Sequence, residues 1–207
     1  MNDCERIRKV IGDIAKEVVK CRKCPLYVSR IKAVPGEGDP CKGILIIGEA
    51  PGATEDKEGR PFVGAAGKLL DSLLNSIGLS RDKVFITNLV KCRPPENRDP
   101  REQEIKACSP YLMRQISVIR PFLIITLGRH STQYIFNRIS KEFKSIMKVR
   151  GKFYNIIIDN FKTTLFPTLH PAAALYNPSL IRILEEDFEK LGNFIGKRGN
   201  KIEDYLF

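Results

Sequence analysis

Four cysteines and three polar loops hold the residues of this chain whose types and spacing could do chemistry. Cys21-Arg-Lys-Cys24-Pro is a C-x2-C pair outside any apolar run, and Cys92 and Cys108, with fifteen residues between them, form a wider pair. A lone C-x2-C is weak evidence, because buried structural cysteines are common. Four cysteines in proline-rich or polar segments are harder to explain as packing, and metal ligation accounts for them better. Four thiolates suit zinc as readily as an iron–sulfur cluster, and spacing alone does not choose between them. Cys4 and Cys41 read as spare thiols, either of which could replace a ligand.

The first loop, GEAPGATEDKEGRPFVGAAG at 48–67, directly follows an apolar run. Its glycines let the backbone approach a ligand closely, but it has no G-K-[ST], which argues against a nucleoside triphosphate. Taken singly, Glu49, Glu55, Asp56, Glu58 and Arg60 are solvated loop charges, and Phe62 is a core residue. The second loop, KCRPPENRDP, follows Asn88 and contains Cys92. The third, PTLHPAAAL, carries His170, one of only two histidines; the other is His130. One such histidine is a structural residue more often than a catalytic one. Three polar loops at three strand ends shift the balance toward a site.

The elements that would position these loops follow from hydrophobic periodicity. Apolar runs at 44–47, 84–90 and 122–127 read as buried strands, 163–166 as a fourth, and 154–158 as an extra antiparallel strand turning at Asp159-Asn160. Helical stripes lie between them: Ile7, Val10, Ile11, Ile14 and Val18; Leu69, Leu70, Leu73, Leu74 and Ile77, stopped by Gly78; and Leu180, Leu184, Phe188, Leu191 and Ile195. Asp99-Pro100-Arg101-Glu102 reads as a helix start capped by Asp99, and Ser109-Pro110 as a restart carrying Leu112, Ile116 and Ile119. Strands alternating with helices define an α/β protein with a mainly parallel sheet covered on both faces. Ligands bind such sheets at the carboxyl ends of the strands, where the three loops lie.

The 207 residues suffice for one domain, taken as 1–195, followed by a basic and then apolar tail at 196–207. No run of about 18 apolar residues exists, so no membrane partner is expected. The charged first residues lack an apolar signal core, which points to a cytoplasmic, reducing address. A net charge of +11 favours a polyanionic partner through counterion release, although charge also serves solubility. KVRGK at 148–152 and GKRGNK at 196–201 read as solvated faces. Lys91, Arg93 and Arg98 are candidate phosphate contacts because they adjoin Asn88.

Taken together, the Cys21/Cys24 pair, GEAPGATEDKEGRPFVGAAG, TNLVKCRPPENRDP followed by Cys108, and HPAAAL resemble the family 4 uracil-DNA glycosylases, the iron–sulfur branch of that superfamily, over residues 18–195. The resemblance implies a three-layer α/β/α sandwich around a central four-stranded mainly parallel sheet, with a [4Fe–4S] cluster on Cys21, Cys24, Cys92 and Cys108. It implies a monomer that removes uracil from single- or double-stranded DNA. Gly48, Glu49, Glu55, Phe62, Asn88 and His170 would form the uracil site, with Glu49 and His170 catalytic. Phe62 would stack on the flipped base, Asn88 would pair with N3–H and O4, and Glu55 would crowd C5. His170 would donate to O2, and Glu49 would stabilise the sugar cation or orient water. His130 has no role in this reading. Two departures stand out: HPAAAL is plainer than the usual form, and Ala53-Thr54 replace frequently acidic residues.

Two other classes compete. A non-catalytic zinc-containing nucleic-acid-binding module explains the charge and cysteines but leaves the three loops idle. A phosphotransfer enzyme lacks its lysine. In the tail, Ile202, Tyr205 and Leu206 fall on one side of a helical turn and resemble a degenerate sliding-clamp-binding peptide, or they fold back onto the domain.

Overall fold

Fully apolar runs with turn residues at both ends form the central strands of the computed structural model, which describes residues 2–199. The strands are β1 (Glu37–Gly38), β2 (Ile44–Gly48), β3 (Phe85–Asn88), β4 (Leu123–Leu127), β5 (Tyr154–Ile158) and β6 (Phe161–Thr168). They form one sheet in the order β1-β3-β2-β4-β6-β5. The four inner strands are parallel, and β1 and β5 pair antiparallel at the two edges. The expected four-stranded parallel core is therefore present, widened to six. The edge strand β5 turns into β6 at Asp159 and Asn160, both with positive φ, as the sequence predicts. The two-residue β1 carries no pattern that could have announced it.

Nine helices are described: α1 (Asp3–Lys20), α2 (Leu26–Ser29), α3 (Ala53–Glu58), α4 (Ala65–Ser76), α5 (Glu102–Ile119), α6 (Arg129–Arg138), α7 (Ile146–Val149), α8 (Pro171–Tyr176) and α9 (Leu180–Gly199). Alternate residues of β2 face opposite layers. Leu45 and Ile47 pack with Ile14 and Val18 of α1 and Leu112 and Ile116 of α5. Ile44 and Ile46 pack with Leu70 and Leu74 of α4 and Leu184 and Phe188 of α9. Both faces are covered, which is why these strands read as continuous apolar runs rather than alternating ones. The three-layer sandwich follows.

Four local expectations are corrected. Asp99 does not cap a helix: α5 starts at Glu102 with Arg101 as its N-cap, and Glu104 accepts from the Arg101 N–H at 2.8 Å. Nor does Pro110 restart one. It lies within α5 on the exposed side, where the carbonyl of exposed Lys106 can take water in place of the missing N–H. Cys4 and Cys41 are not spare thiols but a disulfide across 37 residues, with Cα atoms 5.6 Å apart. It ties the start of α1 to the turn before β2, and a loop of that size corresponds to about 4 kcal/mol of unfolded-state entropy. Finally, Arg150 in KVRGK is not solvated. Its guanidinium bonds the fully buried Asp187 of α9, which also accepts from Thr168 at 2.7 Å.

The C-terminal helix continues through Gly199, so residues 196–199 belong to α9 rather than to a separate tail. Ile202, Tyr205 and Leu206 lie outside the described residues. Among the described residues, no helix is long and apolar enough to cross a membrane.

Candidate active site and metal centre

The last residues of β2 and β3, Gly48 and Asn88, are direct partners in the sheet. A Cβ on Gly48 would stand 2.3 Å from Asn88 Oδ1 and 2.6 Å from Cζ of Phe62. Only glycine fits there, and its missing side chain lets the carboxamide and the ring come together. Asn88 is 1% exposed, and its Oδ1 has no hydrogen-bond partner among the described residues. Leaving such an acceptor unpaired costs about 1–3 kcal/mol, a penalty that a donor on a ligand would relieve.

Phe62 is held in a conformation that a phenylalanine rarely adopts, with φ +52. Three groups around it explain why the strain persists. Arg81 donates to the carbonyls of Phe62 and Pro61 at 2.9 and 2.6 Å. Gly67 of α4 leaves room for the Phe62 carbonyl, which a Cβ would meet at 1.8 Å. Glu55 accepts from the N–H groups of Val63 and Gly64 at 2.9 and 2.8 Å with one oxygen and from Gly52 at 3.1 Å with the other. Glu55 therefore clamps the loop that presents Phe62, and both its oxygens already accept backbone bonds.

On its other side Phe62 stacks on His170, with ring centroids 5.5 Å apart and planes at 27°. His170 caps α8, and its Nδ1 accepts from the Ala172 N–H at 3.1 Å. That bond fixes the tautomer, because the proton of a neutral ring must then sit on Nε2. Burial pushes the imidazole below its ordinary pKa of 6.5, opposed by the nearby Glu49 and Glu55 carboxylates. At neutral pH, His170 is an uncharged Nε2–H donor.

Glu49, one residue past β2, does not stand alone. Its Oε2 lies 2.6 Å from Nδ1 of His130 in the first turn of α6, and His130 Nε2 lies 3.7 Å from Asp99 Oδ2. Asp99 is bonded in turn by Arg129. His130 was expected to be idle; the structure puts it in contact with a proposed catalytic group. The signal that could have found it was position, since His130 lies three residues beyond β4. A tight turn at Gly128 carries the chain there, so no polar loop marked the place. Arg81 was likewise missed, because it acts through backbone carbonyls.

The four-cysteine centre lies next to the end of β3. Cys21 and Cys24 come from the segment between α1 and α2, Cys92 from the loop after β3, and Cys108 from α5, and all four line one cavity with Val18, Tyr27 and Tyr111. Arg30 donates to Cys92 Sγ at 3.1 Å and the Lys91 N–H to Cys108 Sγ at 3.2 Å. Burial pushes the Cys108 thiol up to about 12 and raises Cys92 and Cys24. Such thiols are protonated at neutral pH unless a metal takes the proton's place. Four converging sulfurs with N–H donors are compatible with a metal cluster.

Lys91 cannot contact DNA phosphate. It is 1% exposed, and its ammonium donates to Thr87 Oγ1, the Asn88 carbonyl and Gln115 Oε1 at 2.6, 2.7 and 2.8 Å. Burial lowers its pKa to about 7. Arg98 makes two bonds to the buried Glu104, and Arg93 bonds Asn97; both are half-buried beside the site.

Comparison with known proteins places this arrangement. The uracil DNA glycosylase superfamily matches over residues 35–192. A type-4 uracil-DNA glycosylase from Saccharolobus solfataricus is 59% identical over 195 residues, 94% of this chain and 90% of its own. One from Sulfurisphaera tokodaii is 62% identical over 179 residues, covering 86% and 81% of the two chains. A third, from Archaeoglobus fulgidus, is 47% identical over 196 residues, 95% of this chain and 98% of its own. The chain belongs to the type-4 uracil-DNA glycosylases.

Proposed function

We propose that this enzyme hydrolyses the N-glycosidic bond of deoxyuridine in DNA, releasing uracil and leaving an abasic site. The observation that carries this reading is the buried, unpartnered Oδ1 of Asn88 beside Gly48 and Phe62. A stacked base is inaccessible, so the nucleotide must be flipped into the pocket. Asn88 Oδ1 then accepts from N3–H while its amide donates to O4. Cytosine presents the reverse pattern and would leave buried groups unpaired. Phe62 supplies a stacking surface worth about 1–3 kcal/mol per base. Cleavage builds negative charge at O2, which the neutral His170 Nε2–H stabilises from a preorganised position. Glu49 faces the sugar, where its charge favours the developing cation or orients the attacking water.

The cysteines hold a [4Fe–4S] cluster in this reading. The groups of three or more ligand atoms within 4.8 Å of one another among the described residues are Cys4, Asp39 and Cys41, and Glu49, Asp99 and His130. No three of the sulfurs of Cys21, Cys24, Cys92 and Cys108 lie within 4.8 Å of one another, whereas thiolates on one zinc stand about 3.8 Å apart. The cluster supplies structure, pinning α1, α2 and α5 to the loop that follows Asn88. Anaerobically purified protein should be brown and contain iron and sulfide; colourless protein with one zinc per chain would overturn this assignment and leave the glycosylase reading intact. The enzyme acts as a monomer, in the cytoplasm where its DNA is. A clamp partner rests on Ile202, Tyr205 and Leu206 alone, and deleting 202–207 tests it: clamp binding should vanish while excision persists.

Excision itself is tested by incubating the protein with uracil-containing single-stranded DNA and cleaving abasic sites with alkali. Strand cleavage only at uracil supports the reading. Uncut DNA bound with high affinity would favour a non-catalytic module.

A further inference from the structure

Among charged groups near the pocket, Glu49 has a neighbour that the reaction as described does not use. His130 Nδ1 lies 2.6 Å from Glu49 Oε2, and both side chains are mostly buried. Behind the ring, Asp99 stands 3.7 Å from Nε2 and is itself paired with Arg129. The four groups are thus linked in series from the end of β2 to the exposed Asp99 and Arg129: carboxylate, imidazole, carboxylate, guanidinium. Among the described residues, no hydrogen bond reaches the other oxygen of Glu49.

The series is built by the fold rather than by chance contact of long side chains. Glu49 follows β2, whose last residue is fixed by pairing with Asn88, and its carbonyl accepts from Val90 at 3.0 Å. His130 is the second residue of α6, and the helix is brought there by Gly128 at φ +88. A Cβ on Gly128 would lie 3.0 Å from Cβ of His170, so the same turn that delivers His130 also lets α6 pack against the oxyanion donor.

We infer that His130 is a positioning residue for catalysis: its Nδ1–H fixes the Glu49 carboxylate and leaves the second oxygen aimed at the reacting sugar or its water. The inference rests on the proposed role of Glu49. A glutamate with three rotatable bonds would otherwise sample several directions, and misplacement of about 1 Å can cost a factor of about 100 in rate. Asp99 Oδ2 stands 3.7 Å from the far nitrogen and is itself bonded by Arg129, so the ring is flanked on both sides. Nothing in this role requires His130 to touch DNA.

The test is single-turnover excision with excess enzyme, reading the maximal rate and the enzyme concentration at half-maximal rate separately. His130→Ala should lower the maximal rate by about tenfold or more while leaving the half-maximal concentration unchanged. His130→Asn, whose amide nitrogen falls where Nδ1 does, should recover most of the loss. His130→Gln, whose amide reaches the Nε2 place instead, should not. In a Glu49→Gln background, His130→Ala should add less than about a twofold further change, because the two act as one unit. A wild-type rate for His130→Ala beside a slowed Glu49→Gln overturns this inference and spares the role of Glu49. Multiplicative effects in the double variant also overturn it. A wild-type rate for Glu49→Gln removes the role of Glu49 and this inference with it. Melting temperatures within about 2 °C of wild type for His130→Asn and His130→Gln keep misfolding out of the comparison.

Discussion

Asn88 and Lys91 lie three residues apart at the end of one strand, and both are buried, yet their polar atoms are treated in opposite ways. The Lys91 ammonium has three protons and three acceptors, all at hydrogen-bonding distance. Asn88 keeps an acceptor with no partner among the described residues. A saturated buried group stabilises the scaffold, whereas an unsaturated one calls for an explanation, which a ligand's donor would supply. Lys91 draws the Asn88 carbonyl and Thr87 toward Gln115 of α5, which anchors the strand end while the Asn88 side chain stays uncommitted.

The sharpest way to break this contrast is substitution at the two positions and at His170. Asn88→Ala and His170→Ala should each lower the single-turnover rate by a factor of about 100 or more, the scale of losing a preorganised donor or reader. Their melting temperatures and metal content should hardly change. Lys91→Met should do the reverse, destabilising the fold by about 3 kcal/mol because the three buried hydrogen bonds to Thr87, the Asn88 carbonyl and Gln115 are lost. Equal loss of stability at Asn88 and Lys91 would erase the distinction.

The two cysteine sets sharpen it next. Cys108→Ala should reduce soluble, metal-loaded protein, since metal binding and folding are coupled. Cys4→Ala should lower the melting temperature, by up to about 4 kcal/mol in stability, and leave iron content unchanged. Equal iron loss in both variants would contradict the separation of cluster ligands from the disulfide.

Phe62→Ala should weaken capture of the base by about 1–3 kcal/mol, read as a higher half-saturating DNA concentration. The effect of pH on His170 should be smaller. Its pKa lies below 6.5 in the folded protein. The associated stability is therefore fully present above about pH 6.5 and is lost as pH falls through the folded value. Excision should decline over the same range, because a proton on Nδ1 breaks the bond from Ala172. An acid limb that survives in His170→Asn would assign it to another group.

Much of this was legible in the sequence, for identifiable reasons. Strands buried on both faces leave continuous apolar runs, so β2, β3, β4 and β6 could be read directly. Polar loops at three strand ends marked where a site would lie, the family resemblance singled out Gly48, Phe62, Asn88 and His170 within them, and the Cys21–Cys24 spacing marked candidate metal ligands. Contacts that depend on how helices and loops pack left no such trace. The Cys4–Cys41 bond joins residues far apart in sequence, and a presumed reducing compartment argued against it. Lys91 looked like a phosphate contact because proximity in sequence says nothing about which way a side chain faces. His130 meets Glu49 across 81 residues. The cap of α5 falls at Arg101 rather than Asp99 because Glu104 accepts from the Arg101 N–H and from Arg98, while Asp99 pairs with Arg129.

The central claim is that the unpaired Asn88 acceptor reads uracil, and a direct measurement is the excision rate on matched single-stranded oligonucleotides carrying one uracil or one N3-methyluracil. N3-methylation removes the one donor that Asn88 Oδ1 would accept and changes nothing at O4 or C5. The account predicts rapid release of uracil by the wild type, loss of activity on N3-methyluracil by a factor of about 100 or more, and a much smaller difference between the two substrates in Asn88→Ala. Equal release of both bases by the wild type would contradict it.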